Sequence, residues 1–113
     1  MKTYLSAKIH QATVTEANLG YIGSITIDAT LMERVGIESF EKVMVVSNTT
    51  GARLETYTIA GERDSGIICM NGASSHLIKK GEEVIIMGFC LSETPPEPKQ
   101  ILVDTENHFI RNL

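Results

Sequence analysis

Along Lys2–Val14 the apolar residues fall at every second position. Leu5, Ala7 and Ile9 form one set, with Lys2, Ser6, Lys8 and His10 opposite. Ala12 and Val14 then take over as the apolar set, so the phase flips. A period-two pattern that changes phase predicts a strand with a bulge or bend near His10–Gln11. Ser24–Asp28 (SITID) reads as a second strand. Thr30 and Glu33 have capping-box spacing and Gly36 follows as a C′ residue, which predicts a short helix over Thr30–Val35.

Lys42–Ser47 (KVMVVS) is an apolar strand, and Asn48–Gly51 (NTTG) turns it into a second arm, Ala52–Ala60. On that arm Arg53, Glu55, Tyr57 and Ile59 alternate with Leu54, Thr56, Thr58 and Ala60. Gly61–Gly66 is a polar turn, Ile67–Met70 a strand, and Asn71-Gly72 a turn signal. Ala73–Ile78 fits one helical turn ended by Lys79-Lys80-Gly81. Glu83–Leu91 and Gln100–Asp104 complete the strands, while Glu106–Leu113 is compatible with a strand or a frayed tail. Many short strands with little helix predict a mainly β, barrel-like fold.

Composition narrows the classes without naming an activity. The 113 residues suit one domain, and 42% hydrophobic with 21% charged residues is ordinary for a globular chain. A formal charge of −4 argues against a nucleic-acid binder driven by phosphate contacts. No apolar run is long enough for a membrane span, and MKTYLSAKIH has no apolar signal core, so a cytoplasmic location is expected. Cys69 and Cys90 lie in apolar runs and read as buried core thiols. His10, His76 and His108 show no metal-ligand spacing, so no metal is expected.

Four clusters could carry chemistry: Lys8-Ile9-His10, Tyr21-Ile22-Gly23-Ser24, Arg53-Leu54-Glu55-Thr56-Tyr57 and Asn71-Gly72-Ala73. Each has an ordinary reading. Gly23-Ser24 would be a turn entering a strand. Lys8 with His10, and Arg53 with Tyr57, would be solvated strand faces. Asn71-Gly72 would be a hairpin turn.

In this order and spacing, from about Tyr4 to Phe89, the clusters resemble the pyruvoyl-dependent aspartate 1-decarboxylase family. The motifs are K-x-H near the N-terminus, Y-x-G-S, R-x-x-T-Y, and N-G-A after I-A-x-E-R-x-S. The resemblance implies a double-psi β-barrel with short helices, assembled as a homotetramer with sites between subunits. It implies conversion of L-aspartate to β-alanine and CO2 for pantothenate synthesis. It also implies self-cleavage between Gly23 and Ser24 into a β chain, 1–23, and an α chain, 24–113. Ser24 would attack the Gly23 carbonyl through its hydroxyl. Elimination and hydrolysis would leave a pyruvoyl group as the cofactor, which forms a Schiff base with the substrate amine. Gly23, lacking a Cβ, would permit a strained approach of the hydroxyl.

By the same resemblance Thr56 supports the oxyanion of cleavage and touches substrate. Arg53 binds the substrate carboxylate, and Lys8 is a second cationic contact. Tyr57 is the proton donor, and Asn71 and Ala73 hold the pyruvoyl group or substrate. His10 and Tyr21 are supporting residues around the cleavage position. A maturation factor would be a further partner, one that no motif here identifies. Arg63 reads as a structural ion-pair residue. The chain departs from the family pattern at Ile22 and at Ser74-Ser75, whose hydroxyls would lie near substrate. Two other readings compete: a non-enzymatic barrel that binds a peptide or partner subunit, and a pyruvoyl enzyme for another small acidic amino acid.

Overall fold

The computed structural model describes residues 1–113. The long first strand, β1 (Lys2–Thr13), breaks register between Ile9 and Ala12, and Gln11 takes a φ of 60°. This is the bulge that the phase flip predicts. It lets Ala7, Ile9, Ala12 and Val14 all face the core. A second register break, between Leu5 and Ala7, leaves no comparable mark in the hydrophobic pattern.

After β1 come β2 (Glu16–Asn18), β3 (Ser24–Asp28), helix α1 (Ala29–Val35), β4 (Lys42–Ser47) and β5 (Arg53–Gly61). Next are β6 (Ile68–Asn71), a 3₁₀ turn (Gly72–His76), β7 (Glu83–Ser92), β8 (Lys99–Val103) and β9 (Phe109–Asn112). The tail left open by its sequence is therefore a strand, and the fold is mainly β as expected. No helix is long and apolar enough to cross a membrane.

The strand order is β2-β6-β3-β5-β4-β7-β1-β8-β9. β3 runs parallel to β5 and β1 parallel to β8, while β7 is antiparallel to both β1 and β4. Only Val14 and Thr15 separate β1 from β2, so the sheet returns on itself and closes a barrel. Thr15 makes the join: its N–H donates to Ile68 O at 2.8 Å, and its hydroxyl accepts from Ile68 N at 3.0 Å. Nineteen buried apolar residues fill one core, with Ile9, Ile86, Val45 and half-buried Leu54 forming one row across four strands.

Helix α1 is capped differently from the sequence expectation. Asp28, not Thr30, is the N-cap, and its Oδ1 accepts from Thr30 N at 2.9 Å. A carboxylate suits the role because it can also accept from Asp64 N (3.0 Å) and Gly66 N (2.9 Å), joining helix to turn. Thr30 instead donates its hydroxyl to Asp64 at 2.9 Å. Gly36 ends the helix at φ 75°, as expected of a C′ glycine. Arg63 pairs with Glu33, the structural role expected of it, and this guanidinium holds the Glu33 carboxyl below its usual range.

Asn107 plugs the gap between β1 and the Gly66 turn. It is fully buried at φ 62°, a conformation asparagine tolerates. Its Nδ2 donates to Thr13 O (2.8 Å) and Gly66 O (2.7 Å), and its Oδ1 accepts from Thr13 N (2.7 Å). Removing the side chain strands three backbone groups, one buried at Gly66 and two part-buried at Thr13, and a group left unpaired away from water is costly. Asn107→Ala should therefore lower unfolding free energy by about 2–4 kcal/mol in urea denaturation. A change below about 0.5 kcal/mol would show that water substitutes freely for the plug.

Candidate active site

β3 and β6 pair antiparallel with Ser24 opposite Asn71 and Thr26 opposite Cys69. Their alternate residues Ile25, Ile27, Ile68 and Met70 enter the barrel core, so these four polar side chains share the other face. Asn71 is the centre of the group. Its Nδ2 donates to Ser24 Oγ and Thr26 Oγ1, both at 2.9 Å, and its Oδ1 accepts from Cys69 Sγ at 3.1 Å. Ser24 is fully buried, and Asn71 and Cys69 nearly so. Burial, and next the Glu16 carboxylate, push the Cys69 thiol up to about 11, so it stays protonated and able to donate.

Exposure changes abruptly at Ser24. Gly20, Tyr21, Ile22 and Gly23 are exposed, with Ile22 at 84%, whereas Ser24 has no accessible surface. The Ser24 hydroxyl also reaches Ile22 O at 3.4 Å. Its hydroxyl oxygen is thus held by Asn71 beside a peptide bond whose other side faces solvent. Gly23 lies outside the positive-φ region, and a Cβ there would come no nearer than 3.9 Å to Asn71 O. The steric demand falls on Gly72, at φ 65°, where a Cβ would stand 2.7 Å from Gly23 N and Cα and 2.8 Å from Tyr21 O.

Asn71-Gly72 is therefore not a hairpin turn. Asn71 ends β6 and Gly72 starts the 3₁₀ turn packed on the Gly23 backbone. Ser74 and Ser75 donate their hydroxyls to Asn71 O (2.8 Å) and Gly72 O (2.7 Å). They brace this turn through its own carbonyls. Ala73 is exposed beside them.

β5 brings in two further residues. Ile25 is level with Thr58 in the parallel β3–β5 pair. Continuing that register sets Tyr57 level with Ser24 and Thr56 with Gly23. Both are half-buried, and the Tyr57 ring lies 6.3 Å from that of Phe40. Arg53 shares the Tyr57 face but sits four residues, about 13 Å, along the strand. Its guanidinium contacts Met44 Sδ at 3.7 Å.

Lys8 and His10 remain apart. Lys8 is level with Met87, Met87 with Met44, and Met44 with Glu55, so three strand spacings, about 14 Å, separate Lys8 from β5. His10 is level with Leu102 of β8, and its Nδ1 is buried without a hydrogen-bond partner. Tyr21 is exposed and reaches the site through its backbone. One chain thus brings Gly23, Ser24 and Asn71 together beside exposed Ala73, sets Tyr57 on the neighbouring strand level with Ser24 and Thr56 on that strand's opposite face, and leaves Lys8, His10 and Arg53 outside the group.

Thr26 belongs to the site although sequence reasoning passed over it, Cys69 was read only as a core thiol, and Gly72 only as part of the Asn71-Gly72-Ala73 cluster. Cys69 and Thr26 lie two residues from Asn71 and Ser24, so strand parity was their available signal. Cys90, by contrast, is only half-buried, because it lies on the β7 face level with Tyr4.

The sequence model of the family described as aspartate decarboxylase matches residues 1–110. A protein named aspartate 1-decarboxylase from Bacillus thuringiensis (strain Al Hakam) is 51% identical over 116 aligned positions, covering 99% of this chain and 91% of that protein. One of the same name from Neisseria meningitidis serogroup C is 51% identical, covering 94% of this chain and 87% of that protein. The solved structure of the computationally designed msDPBB_sym2 protein aligns at TM-score 0.47 and 17% identity, covering 77% of this chain and 99% of that one.

The close contact at Gly72 can be tested directly. Gly72→Ala should destabilise the chain by about 1–3 kcal/mol, because a strained φ and a backbone clash coincide. The exposed loop before Gly23 must yield, so limited proteolysis at Leu19–Ile22 should accelerate. An unchanged Tm with unchanged protection would show that the turn does not press on Gly23.

Proposed function

The chain belongs to the aspartate decarboxylase family, and on that premise we propose that it is a self-processing, pyruvoyl-dependent enzyme that decarboxylates L-aspartate to β-alanine. The observation that carries this reading is Ser24, buried and held by Asn71 at the point where the backbone passes from exposed loop to core strand. That setting fits a residue that cleaves its own preceding bond. The hydroxyl oxygen is held and buried, and the loop end at Gly23 is free to move into solvent while β1 stays in the sheet.

In the proposed cleavage Ser24 Oγ bonds to the Gly23 carbonyl carbon, the C–N bond breaks, and the hydroxyl proton passes to the Ser24 nitrogen. Loss of the Ser24 Cα proton with rupture of the Cβ–Oγ bond releases the Gly23 carboxylate. Water then hydrolyses the remaining enamine to the pyruvoyl group and ammonia. Thr56, level with Gly23, would donate to the oxyanion of the first step; losing such a donor costs about 10²–10³ in rate. Asn71 already donates to the reacting oxygen.

The pyruvoyl carbonyl supplies an electron sink for the departure of CO2. Arg53 would bind the retained carboxylate through its planar guanidinium, with Lys8 as a second cation. Tyr57 would return the proton to the substrate carbon. Asn71 and Ala73 would hold the substrate end of the site, with His10 and Tyr21 supporting it. The separation of Lys8 from Arg53 and Tyr57 within one chain supports a site completed at a subunit boundary, in a homotetramer. Three parallel pairs of sequence-distant strands in a closed sheet support the double-psi form of the barrel. We place the enzyme in the cytoplasm, supplying β-alanine for pantothenate.

Assay of CO2 and β-alanine from aspartate, with glutamate and cysteate as alternatives, tests the reading. Aspartate should be preferred, and Ser24→Ala should give no product. Normal β-alanine output from Ser24→Ala would end the pyruvoyl account. Arg53→Ala should still cleave but lose roughly 10- to 100-fold in kcat/KM for aspartate, as expected for a lost charge-assisted pair. Full efficiency would remove Arg53 as the carboxylate clamp.

A further inference from the structure

Arg53, Glu55 and Tyr57 lie on one face of β5, about 7 Å apart at each step. Glu55 thus stands between the cation and the proton donor of the proposed reaction, with the same charge as an acidic substrate. Arg53 is near enough to pair with it along the strand, and such a pair would occupy the guanidinium. The structure shows another arrangement. Glu55 Oε2 is 2.6 Å from Lys42 Nζ, across the β4–β5 ladder. Arg53 meets only the Met44 thioether, a weak acceptor that leaves its donors uncommitted.

Register explains the choice. Lys42 is opposite Tyr57, Met44 opposite Glu55 and Val46 opposite Arg53. Lys42 is therefore the diagonal neighbour of Glu55, whereas Arg53 has apolar residues both opposite and diagonal. Diagonal positions on an antiparallel pair are within reach of long side chains.

We propose that Lys42 is a positioning residue: by holding Glu55 it keeps Arg53 free to receive the carboxylate of an acidic substrate. This rests on the reading of Arg53 given above. Without Lys42, Glu55 turns along β5 to Arg53, and the substrate carboxylate must displace it. Lys42 touches no reacting atom, so its loss acts on KM and not on kcat or on cleavage at Ser24.

Four proteins test this: wild type, Lys42→Met, Glu55→Gln and the double variant. Lys42→Met should raise KM for aspartate about two- to five-fold, the scale of an exposed ion pair, with kcat and self-cleavage unchanged. Glu55→Gln and the double variant should keep the wild-type KM. A simple field effect would instead make Glu55→Gln lower KM as much as Lys42→Met raises it, and that result overturns the proposal. NMR of the Arg53 Nε–H group reads the pairing without substrate. Its resonance should shift in Lys42→Met and return in the double variant, and no shift overturns the proposal. A shift with an unchanged KM would instead remove Arg53 as the carboxylate binder, and with it the positioning role given to Lys42, while leaving the Ser24 chemistry intact.

Discussion

The candidate site depends on one seam, where the backbone of Gly72 packs against that of Gly23 with no room for a Cβ. That contact sets the 3₁₀ turn on the loop before Ser24. The antiparallel register then puts Asn71 opposite Ser24, where its amide reaches the hydroxyl at 2.9 Å. Cys69 occupies the amide oxygen, and Ser74 and Ser75 occupy the turn carbonyls. Each of these groups satisfies a buried or crowded polar atom, so the hydroxyl of Ser24 has little freedom to point elsewhere. A buried, oriented serine hydroxyl follows from ordinary requirements of backbone packing and hydrogen bonding.

A chain of this size holds such a seam by closing its sheet and tying the loops with a few buried polar side chains. Asp28 joins the helix start to the Gly66 turn, and Asn107 joins that turn to the end of β1. Glu82 accepts from Ser47 Oγ at 2.6 Å and from Lys79 N at 2.8 Å, linking β4 to the loop before β7. Their oxygen and nitrogen atoms serve as backbone partners where the strands leave gaps. The barrel therefore keeps its loops in place without long helices packed on its outside.

Much of the fold was legible because two-residue periodicity survives wherever one strand face is buried. The bulge near Gln11, the whole of β3 and β4, and the apolar β7 all show in the residue order. β2 did not, since it is three residues long and gains its identity from a parallel partner distant in sequence. The helix cap shifted from Thr30 to Asp28 because tertiary donors on Asp64 and Gly66 favour a carboxylate there. Ser24, Asn71, Thr56 and Tyr57 were identifiable as a group by resemblance. The separation of Lys8 and Arg53 was not, because it follows from which strands pair, and local sequence carries no measure of that distance.

These features converge on the bond between Gly23 and Ser24, exposed on one side and buried on the other. Intact-mass analysis of the purified protein under denaturing conditions examines that bond most directly. Two chains should be found, one comprising Met1–Gly23 and the other starting at a pyruvoyl group in place of Ser24. A single unmodified chain of 12.4 kDa in protein that produces β-alanine would contradict the account.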